Sequence, residues 1–412
     1  MELPINFNFL CRSKHFNCHS DRHVIENARI NLAYKYFLGL AVDEDVPDDR
    51  TISCFRAQRL GEEKFRQVFE QIVRQRIDKG LVKGKRQIID STHIIADIAI
   101  NSLTRKEDNL EEEIEQAKAL LDGVTEELTQ GKLKVTDRLR DNINVLEKAV
   151  ADREEGAEDR LVSPVDKDAR ARRKTSKHWA GYKGHVVMEE ESEIITAVET
   201  TSANKPDGNQ LPVLLQQQEE SVSLVPQESS ADKAYGIGAN LEILDSKNIT
   251  GNISLIRRFN RLGPGLFTQD AFKYNKANDT LTCPAGCLAP RRRVEVVCAE
   301  DQHRKGIIFQ FSHHQCSNCG LKVLCFPVDS KKHGRGVNIS VYEPLYREMR
   351  ERMKGEAAQE AYRNRYRIEH KVADPARGCG MRRCRYRGLA RAKIHTSLSA
   401  ITSNIKRMAR LL

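Results

Sequence analysis

Ala361-Tyr-Arg-Asn-Arg-Tyr-Arg-Ile-Glu-His-Lys371 is a basic stretch that holds a single acid, Glu369. If the stretch is one helix, Tyr362, Arg365 and Glu369 lie at i, i+3 and i+7 and share a face. Neighbouring arginines keep a carboxylate ionised, and hard metal ions prefer ionised carboxylates as ligands. The stretch therefore predicts either a metal site beside a bound phosphate or a surface helix with a satisfied salt bridge.

Positive charge is concentrated at the C-terminal end of the chain. Residues 361–412 contain 14 Lys and Arg against 2 Asp and Glu, a net charge of +12, whereas the whole chain carries +10. Such a segment favours a polyanionic partner, and a phosphodiester backbone is the obvious one. Aromatic residues make up only 6% of the chain, which argues against base stacking on single strands as the main mode of binding.

Two further acids lie in or next to predicted strands: Asp90 within one strand and Asp232 at the end of another. Arg86-Gln-Ile-Ile-Asp90-Ser-Thr-His-Ile-Ile95 is a β-branched apolar run that contains one acid. Its period of two puts Asp90 on the face opposite to His93, so we interpret His93 as structural; Asp97 also falls on that opposite face. Ser229-Ser-Ala-Asp232-Lys-Ala-Tyr-Gly236 places an acid where a strand ends and a helix begins.

These three stretches resemble the DDE transposases of bacterial insertion sequences, in the branch whose third acid lies in a Tyr-x2-Arg-x3-Glu-x6-Lys pattern. The likeness extends over about residues 20–412 through further blocks in the same order. The blocks are Gly181-Tyr-Lys-Gly-His-Val-Val187, Ile195-Thr-Ala-Val-Glu199, Ala203-Asn-Lys-Pro-Asp-Gly208 and Arg385-Tyr-Arg-Gly-Leu-Ala390.

The resemblance implies an α/β fold with a ribonuclease H-like, retroviral integrase-like catalytic core. It also implies that Asp90, Asp232 and Glu369 bind Mg²⁺ or Mn²⁺ for two-metal phosphodiester hydrolysis and transesterification. In the reaction that the resemblance implies, water first cleaves at the transposon end, and the freed 3′-hydroxyl then attacks target DNA. The expected partners are double-stranded transposon ends and target DNA, bound by a homo-oligomer at the cytoplasmic nucleoid. The predicted DNA-binding residues are Tyr362, Arg365, Arg367, Arg382, Arg383, Arg385 and Arg387.

The chain departs from the family pattern at the position of its last lysine. That lysine falls at Ala376, directly after Pro375, so a helix carrying Glu369 is expected to end near Ala373. The likeness also begins abruptly at Ser20, so we expect the chain to be truncated at its N-terminus. Two alternatives therefore stay open: an impaired remnant that only binds DNA, and a host nuclease on the same fold.

Composition shifts and periodicity divide the chain into six predicted parts. A helical N-terminal region follows an unmatched lead-in, and its arginines Arg56 and Arg59 belong either to a DNA-reading helix-turn-helix or to a packed helical bundle. No run of about 18 apolar residues occurs, so no membrane-spanning helix is expected. The parts are 1–19 (lead-in), 20–84 (helical region), 85–100 with 161–260 (catalytic core), 101–160 (helical insertion), 261–335 (Cys-rich segment) and 336–412 (basic helices completing the core).

The chain has 11 cysteines, and six of them lie between Cys283 and Cys325. An odd total, with six of the cysteines crowded into one segment, fits a reducing compartment and metal binding better than a disulfide framework. Two residues separate Cys316 from Cys319, a spacing that lets two thiolates share a tetrahedral Zn²⁺. Cys283, Cys316, Cys319 and Cys325 correspond in position to cysteines of the family. A zinc site on these four is one expectation, and a small buried cluster of reduced thiols is the other.

Overall fold

Two units make up the described chain, which is a computed structural model. The first comprises residues 1–231 and 363–412, and the second residues 232–362. The described residues are 21–54, 61–98, 110–130, 134, 136–155, 159–163, 165–174, 177–256, 263–275, 277–299, 302–327 and 334–411. Among the helices in these ranges, none is long and apolar enough to cross a membrane.

Four helices open the described part of the first unit: α1 (Asp21–Ile30), α2 (Leu32–Leu38), α3 (Asp49–Cys54) and α4 (Gly61–Asp78). The helix predicted from Asn31 to Gly39 is confirmed as α2. The Asn31 side chain accepts a hydrogen bond from the Ala33 amide at 3.0 Å, and Gly39 ends the helix with φ +73°. Arg56 and Arg59 lie outside the described residues.

The sheet of the first unit is built around strand β1 (Arg86–Ile95). Four further strands of this unit belong to the same sheet: β2 (Arg170–Lys174), β3 (Lys177–Glu189), β4 (Ile195–Ser202) and β5 (Glu228–Ala231). β1 lies between β3, which runs antiparallel to it, and β5, which runs parallel. β4 and β2 both pair antiparallel with β3. The predicted antiparallel hairpin is confirmed as β3 and β4.

Helices cover both faces of this sheet. Ile88 and Ile94 of β1 are fully buried in a core that also contains Phe65 of α4. The last helix of the chain, α14 (Leu389–Leu411), contributes Leu398 to the same core. On the opposite face, α7 (Leu211–Val222) packs on β4. Its buried Gln218 donates to the Gln87 side chain at 2.9 Å. The remaining helices of the first unit are α5 (Leu110–Thr129), α6 (Asp137–Glu154) and α13 (Tyr366–Ala373).

The charged helical pair predicted for residues 101–160 is confirmed by α5 and α6, which pack on each other. Lys118 of α5 forms an ion pair with Glu154 of α6. Both side chains are about half exposed, so the pair adds little to stability. The two helices contain none of the predicted site residues.

The second unit contains an antiparallel five-stranded sheet in the order β11-β10-β9-β8-β7. Its core is aromatic and aliphatic, with Phe272, Phe309 and Phe311 almost fully buried. Helix α8 (Gly238–Ser246), strand β6 (Thr250–Ile253) and helix α11 pack together in the same unit. The other bounds are β7 (Lys273–Asn275), β8 (Thr280–Thr282), β9 (Leu288–Ala299), β10 (Gln302–Gln310), α9 (His313–Ser317), α10 (Lys322–Cys325), β11 (Gly336–Ser340), α11 (Glu343–Arg352) and α12 (Glu356–Arg363).

Gly181 is required where β3 crosses the end of β1. Its φ is +152°, and a Cβ atom there would stand 2.1 Å from the Ile94 carbonyl oxygen and 2.6 Å from the Ala96 nitrogen. These neighbours are backbone atoms that cannot swing aside. The glycine therefore allows the close approach of two paired strands.

We predict that Gly181→Ala lowers the free energy of unfolding by about 3 kcal/mol, because the new methyl group displaces paired backbone. Urea denaturation followed by circular dichroism measures the change. Gly123→Ala is the matched control, since Gly123 lies in α5 with no atom within 4 Å of its added Cβ. It should be neutral or stabilising by about 1 kcal/mol. Equal midpoints for the two variants would contradict the prediction.

Candidate active site

Asp90 is the fifth residue of β1 and is half-buried on the face of the sheet that α4 and α14 cover. This face also carries Ile88 and Ile94, since alternate residues of a strand share a face. The Asp90 Oδ1 atom accepts a hydrogen bond from the Ser91 amide at 2.8 Å. The prediction that Asp90 lies in a strand is therefore confirmed, and the environment of its carboxylate is partly polar.

The parallel pairing of β1 with β5 sets side by side the two residues that precede Asp90 and Asp232. Ile89 pairs with Ala231, and these two residues directly precede Asp90 and Asp232. Asp232 is the first residue of the second unit and caps a short 3₁₀ helix, Lys233–Tyr235. Its Oδ1 atom accepts from the Lys233 amide at 2.5 Å. The predicted change from strand to helix at Asp232 is confirmed.

Glu369 is the fourth residue of α13, which packs on β1. Ile368 and Val372 point into the core of the first unit, while Glu369 is exposed. Asp90 and Glu369 therefore lie on two packed elements of one unit. Within the described ranges, however, no three His, Cys, Asp or Glu side chains are placed to hold one metal ion. The elements that carry these two acids are packed together, but their carboxylates do not converge with a third ligand.

The single helix predicted for Tyr362, Arg365 and Glu369 is wrong. Tyr362 lies in α12, which ends at Arg363. Asn364 and Arg365 form a turn, and α13 starts only at Tyr366. The Asn364 side-chain amide donates to Glu190 Oε1 at 2.8 Å, and Arg367 donates to the Glu190 carbonyl at 3.4 Å. These tertiary bonds outweigh the helical periodicity, so the three residues do not share one helix face.

The expected end of the helix near Ala373 is confirmed. Asp374–Gly378 forms a π-helical turn, and its residue Ala376 is 5% exposed. The Pro375 carbonyl accepts from the Met381 amide at 2.8 Å, and the Lys406 ammonium of α14 donates to the Gly378 carbonyl at 3.1 Å. The position where the family pattern has a lysine is therefore a packed one in this chain.

We predict that Ala376→Lys lowers the free energy of unfolding by about 2–4 kcal/mol, because it forces an ammonium group into a buried site. Thermal unfolding of the variant beside the wild type tests this. Ala151→Lys is the control, since Ala151 is exposed in the last turn of α6. A wild-type melting temperature for Ala376→Lys would show that the lysine escapes to solvent.

Four of the predicted DNA-binding arginines lie beside the end of β1. The Ile95 amide donates to the Arg382 carbonyl at 2.8 Å, and Ile95 forms a parallel bridge with Arg383. Arg382, Arg383 and Arg387 are exposed, and Arg385 is half-buried. Arg387 donates to the Asp97 carbonyl at 3.2 Å. Arg365 and Arg367 lie on the α12–α13 turn and α13, away from this segment in sequence. The prediction that these residues bind DNA stays a prediction.

Two acids that the sequence analysis passed over hold the C-terminal segment in place. Asp166 accepts from the Tyr182 hydroxyl at 2.5 Å and from the Gly388 amide at 3.1 Å. Asp168 accepts from the Leu389 amide at 2.8 Å, which satisfies a free donor at the start of α14. Burial and the Asp166 carboxylate raise the pKa of Tyr182. The available signal was a pair of acids two residues apart in a basic stretch.

The Gly181–Val187 block carries a buried polar group on β3. The Lys183 ammonium donates to Asp207 Oδ1 at 2.6 Å, and His185 Nε2 lies 2.9 Å from the Thr201 hydroxyl. Burial would raise the pKa of Asp207, but the Lys183 charge outweighs it and lowers that pKa. Burial lowers the pKa of Lys183. Burial is also the main reason that the pKa of His185 is lowered to about 3. The negative charge of Asp207 acts in the opposite direction, and the positive charge of Lys183 adds a smaller lowering.

We predict that His185 makes the first unit less stable as the pH falls from about 6.5 to 3. The unfolded chain takes up a proton that the folded chain excludes, so stability is full above the unfolded pKa. It then drops by about 1.4 kcal/mol per pH unit until the folded pKa is reached. Urea denaturation across this range should give a shallower pH dependence for His185→Gln. The exposed His23→Gln should keep the wild-type slope, and an equal slope for all three proteins would contradict the prediction.

Five cysteines of the second unit line one cavity: Cys283, Cys287, Cys316, Cys319 and Cys325. All five are partly buried and none is in a disulfide. Phe272, Phe311 and Arg335 form part of the same lining. The four predicted zinc ligands thus lie around one space, together with Cys287, which the sequence analysis left out. No three of them are placed as ligands of one ion within the described residues.

Comparison with known protein families gives two matches. A family described as the transposase DDE domain matches residues 282–409, and one described as a transposase domain matches residues 3–58. The predicted resemblance to insertion-sequence DDE transposases is confirmed. The second match includes residues 3–19, so the prediction that 1–19 is an unmatched lead-in is wrong there. The first covers Glu369 and the Arg382–Arg387 segment, whereas Asp90 and Asp232 lie outside both. No curated protein matches the sequence.

Proposed function

We propose that this chain catalyses metal-dependent DNA cleavage and strand transfer for insertion-sequence transposition. The premise is that transposase family models match residues 3–58 and 282–409. One observation carries the proposal. The matched helix α13, with Glu369, packs on β1, with Asp90, in the same unit. Residues 90 and 369 lie far apart in the chain. If Glu369 only formed a surface salt bridge, α13 would not need to pack on β1. If Asp90 and Glu369 bind one metal ion together, the two elements must meet.

The order of the elements supports a ribonuclease H-like core. In the first unit the strands run β4-β3-β1-β5, and β5 alone is parallel to β1. Along the chain, an acid-bearing strand is followed by a hairpin, a helix, a strand ending at an acid, and finally a helix with the third acid. This is the order that the family resemblance implies for that fold. The fold allows many functions, so the site residues have to carry the functional claim.

The chemistry of the three acids fits a hard divalent cation. Asp90, Asp232 and Glu369 offer only carboxylate oxygens, which Mg²⁺ and Mn²⁺ prefer over nitrogen or sulfur. We assign these three as the residues that would hold the metal. When bound, it would activate the attacking oxygen and stabilise the leaving oxygen of the phosphodiester. Glu369 is exposed, so substrate DNA can reach it without opening the core.

The basic segment after α13 supplies the contacts to the DNA backbone in this proposal. Arg382 and Arg383 present exposed guanidinium groups at the end of β1, and both can pair with phosphate oxygens. Arg387 is 3.7 Å from Asp97 Oδ2, so phosphate binding there would replace an exposed ion pair. These contacts carry no base information. They would orient double-stranded transposon ends and target DNA, and recognition of the end sequence needs other residues. We place the reaction on nucleoid DNA in the cytoplasm, with a homo-oligomer bringing two ends together.

We predict that Asp90→Asn, Asp232→Asn and Glu369→Gln each reduce cleavage and strand transfer by more than about 100-fold, because each removes a charged metal ligand. The assay uses the full chain, Mg²⁺ or Mn²⁺, and a supercoiled plasmid carrying the coding region with its flanking DNA. Circular dichroism should show that all three variants stay folded.

Matched controls change the same chemical groups at exposed positions that are not among the three proposed ligands. Asp245→Asn on α8 and Glu360→Gln on α12 should keep wild-type activity. Cleavage that survives in one of the three site variants removes that residue from the metal site. A wild-type chain that binds the plasmid but never cuts it, with either metal, would leave the binding-only alternative and overturn the proposed function.

A further inference from the structure

The cysteine cavity of the second unit has two walls with different local structure. One is the hairpin turn between β8 and β9, where the Cys283 amide donates to the Cys287 carbonyl at 2.9 Å. Gly286 allows this turn with φ +83°. The other wall is the short helical stretch that contains Cys316, Cys319 and Cys325. The Lys322 amide donates to the Cys319 carbonyl at 3.0 Å and closes a turn between the last two thiols.

A positive charge lies among these thiols. Arg335 lines the cavity, its guanidinium donates to the Phe267 carbonyl at 3.3 Å, and its carbon Cζ lies 5.9 Å from the centre of the Phe272 ring. Its Nε atom is buried and has no hydrogen-bond partner among the described residues. A buried charged donor without an acceptor is costly. Thiolates in the cavity would satisfy it, whereas neutral thiols would not.

The five thiols also differ in their neighbours. Cys283, Cys316 and Cys319 each lie close enough to interact electrostatically with both Cys287 and Cys325. Cys325 and Cys316 lie close enough to Arg335 to interact electrostatically with it. A set of four that includes Cys325 therefore places two negative ligands beside the positive charge. A tetrathiolate zinc centre carries a net charge of −2, so a neighbouring arginine offsets part of it.

We propose that Cys283, Cys316, Cys319 and Cys325 bind one structural Zn²⁺ ion, and that Cys287 is a neighbouring thiol outside the coordination shell. Sulfur ligands select zinc over the hard cation assigned to the three acids. No three of the described side chains converge on one point as placed, so binding draws the Cys316–Cys325 stretch towards the β8–β9 turn. The ion would join two short segments of the second unit and stabilise them against unfolding.

The test is the zinc content of the full chain, purified under reducing conditions with zinc in the growth medium. Mass spectrometry of the metal should find about one zinc per chain in the wild type and in Cys287→Ser. Cys319→Ser and Cys325→Ser should each hold less than about a fifth of that amount, since three thiolates bind zinc far more weakly. The readout does not depend on DNA cleavage, so it stands or falls separately from the proposed function.

A second measurement covers variants that fail to fold. Co²⁺ added to chelator-treated wild-type chain should give the strong visible bands of a tetrahedral thiolate site, and addition of Zn²⁺ should abolish them. Wild-type protein with no zinc and no such bands would overturn the proposal. Zinc loss in Cys287→Ser together with retention in Cys325→Ser would overturn the choice of the fourth ligand.

Discussion

The parallel pairing of β1 with β5 is the constraint on which the candidate site depends. It sets Ile89 beside Ala231, the residues that precede Asp90 and Asp232. A register shift of one residue would turn Asp90 to the opposite face of the sheet and would remove Ile88 and Ile94 from the core that they share with α4 and α14. The buried isoleucines therefore fix the position of the acid. Because the hydrophobic core resists any such shift, the chain can hold an ionisable group on a central strand in a defined place.

The C-terminal segment depends on the same strand. Residues 363–412 belong to the first unit, with α13 on β1, the Arg382–Arg383 backbone bonded to Ile95, and α14 in the core. Asp166 and Asp168 secure the start of α14 from a stretch between α6 and β2. The net charge of +12 therefore belongs to a segment with buried anchors rather than to a loose tail. Its arginine backbone is fixed, while three of its guanidinium groups stay exposed for a polyanion.

Local patterns in the sequence predicted the elements well and their junctions poorly. Asn31 and Gly39 mark the ends of α2, and alternation between Gly181 and Thr200 predicts the β3–β4 hairpin, because caps and period-two burial act within a few residues. The break at Asn364 and Arg365 was missed because it depends on Glu190, which is distant in sequence. The burial of Ala376 and the roles of Asp166 and Asp168 were missed for the same reason. The three acids were found through family resemblance, which spacing alone could not replace.

Iron-mediated cleavage of the protein backbone tests the central claim that Asp90, Asp232 and Glu369 share one divalent metal site. Fe²⁺ bound in place of Mg²⁺ generates hydroxyl radicals that cut the chain near the ion, and mass spectrometry of the fragments maps the cuts. The account predicts cuts near all three acids, suppressed by excess Mg²⁺ and lost together in Asp90→Asn. Cuts confined to the cysteine cavity, or cuts near one acid that persist in Asp90→Asn, would contradict it.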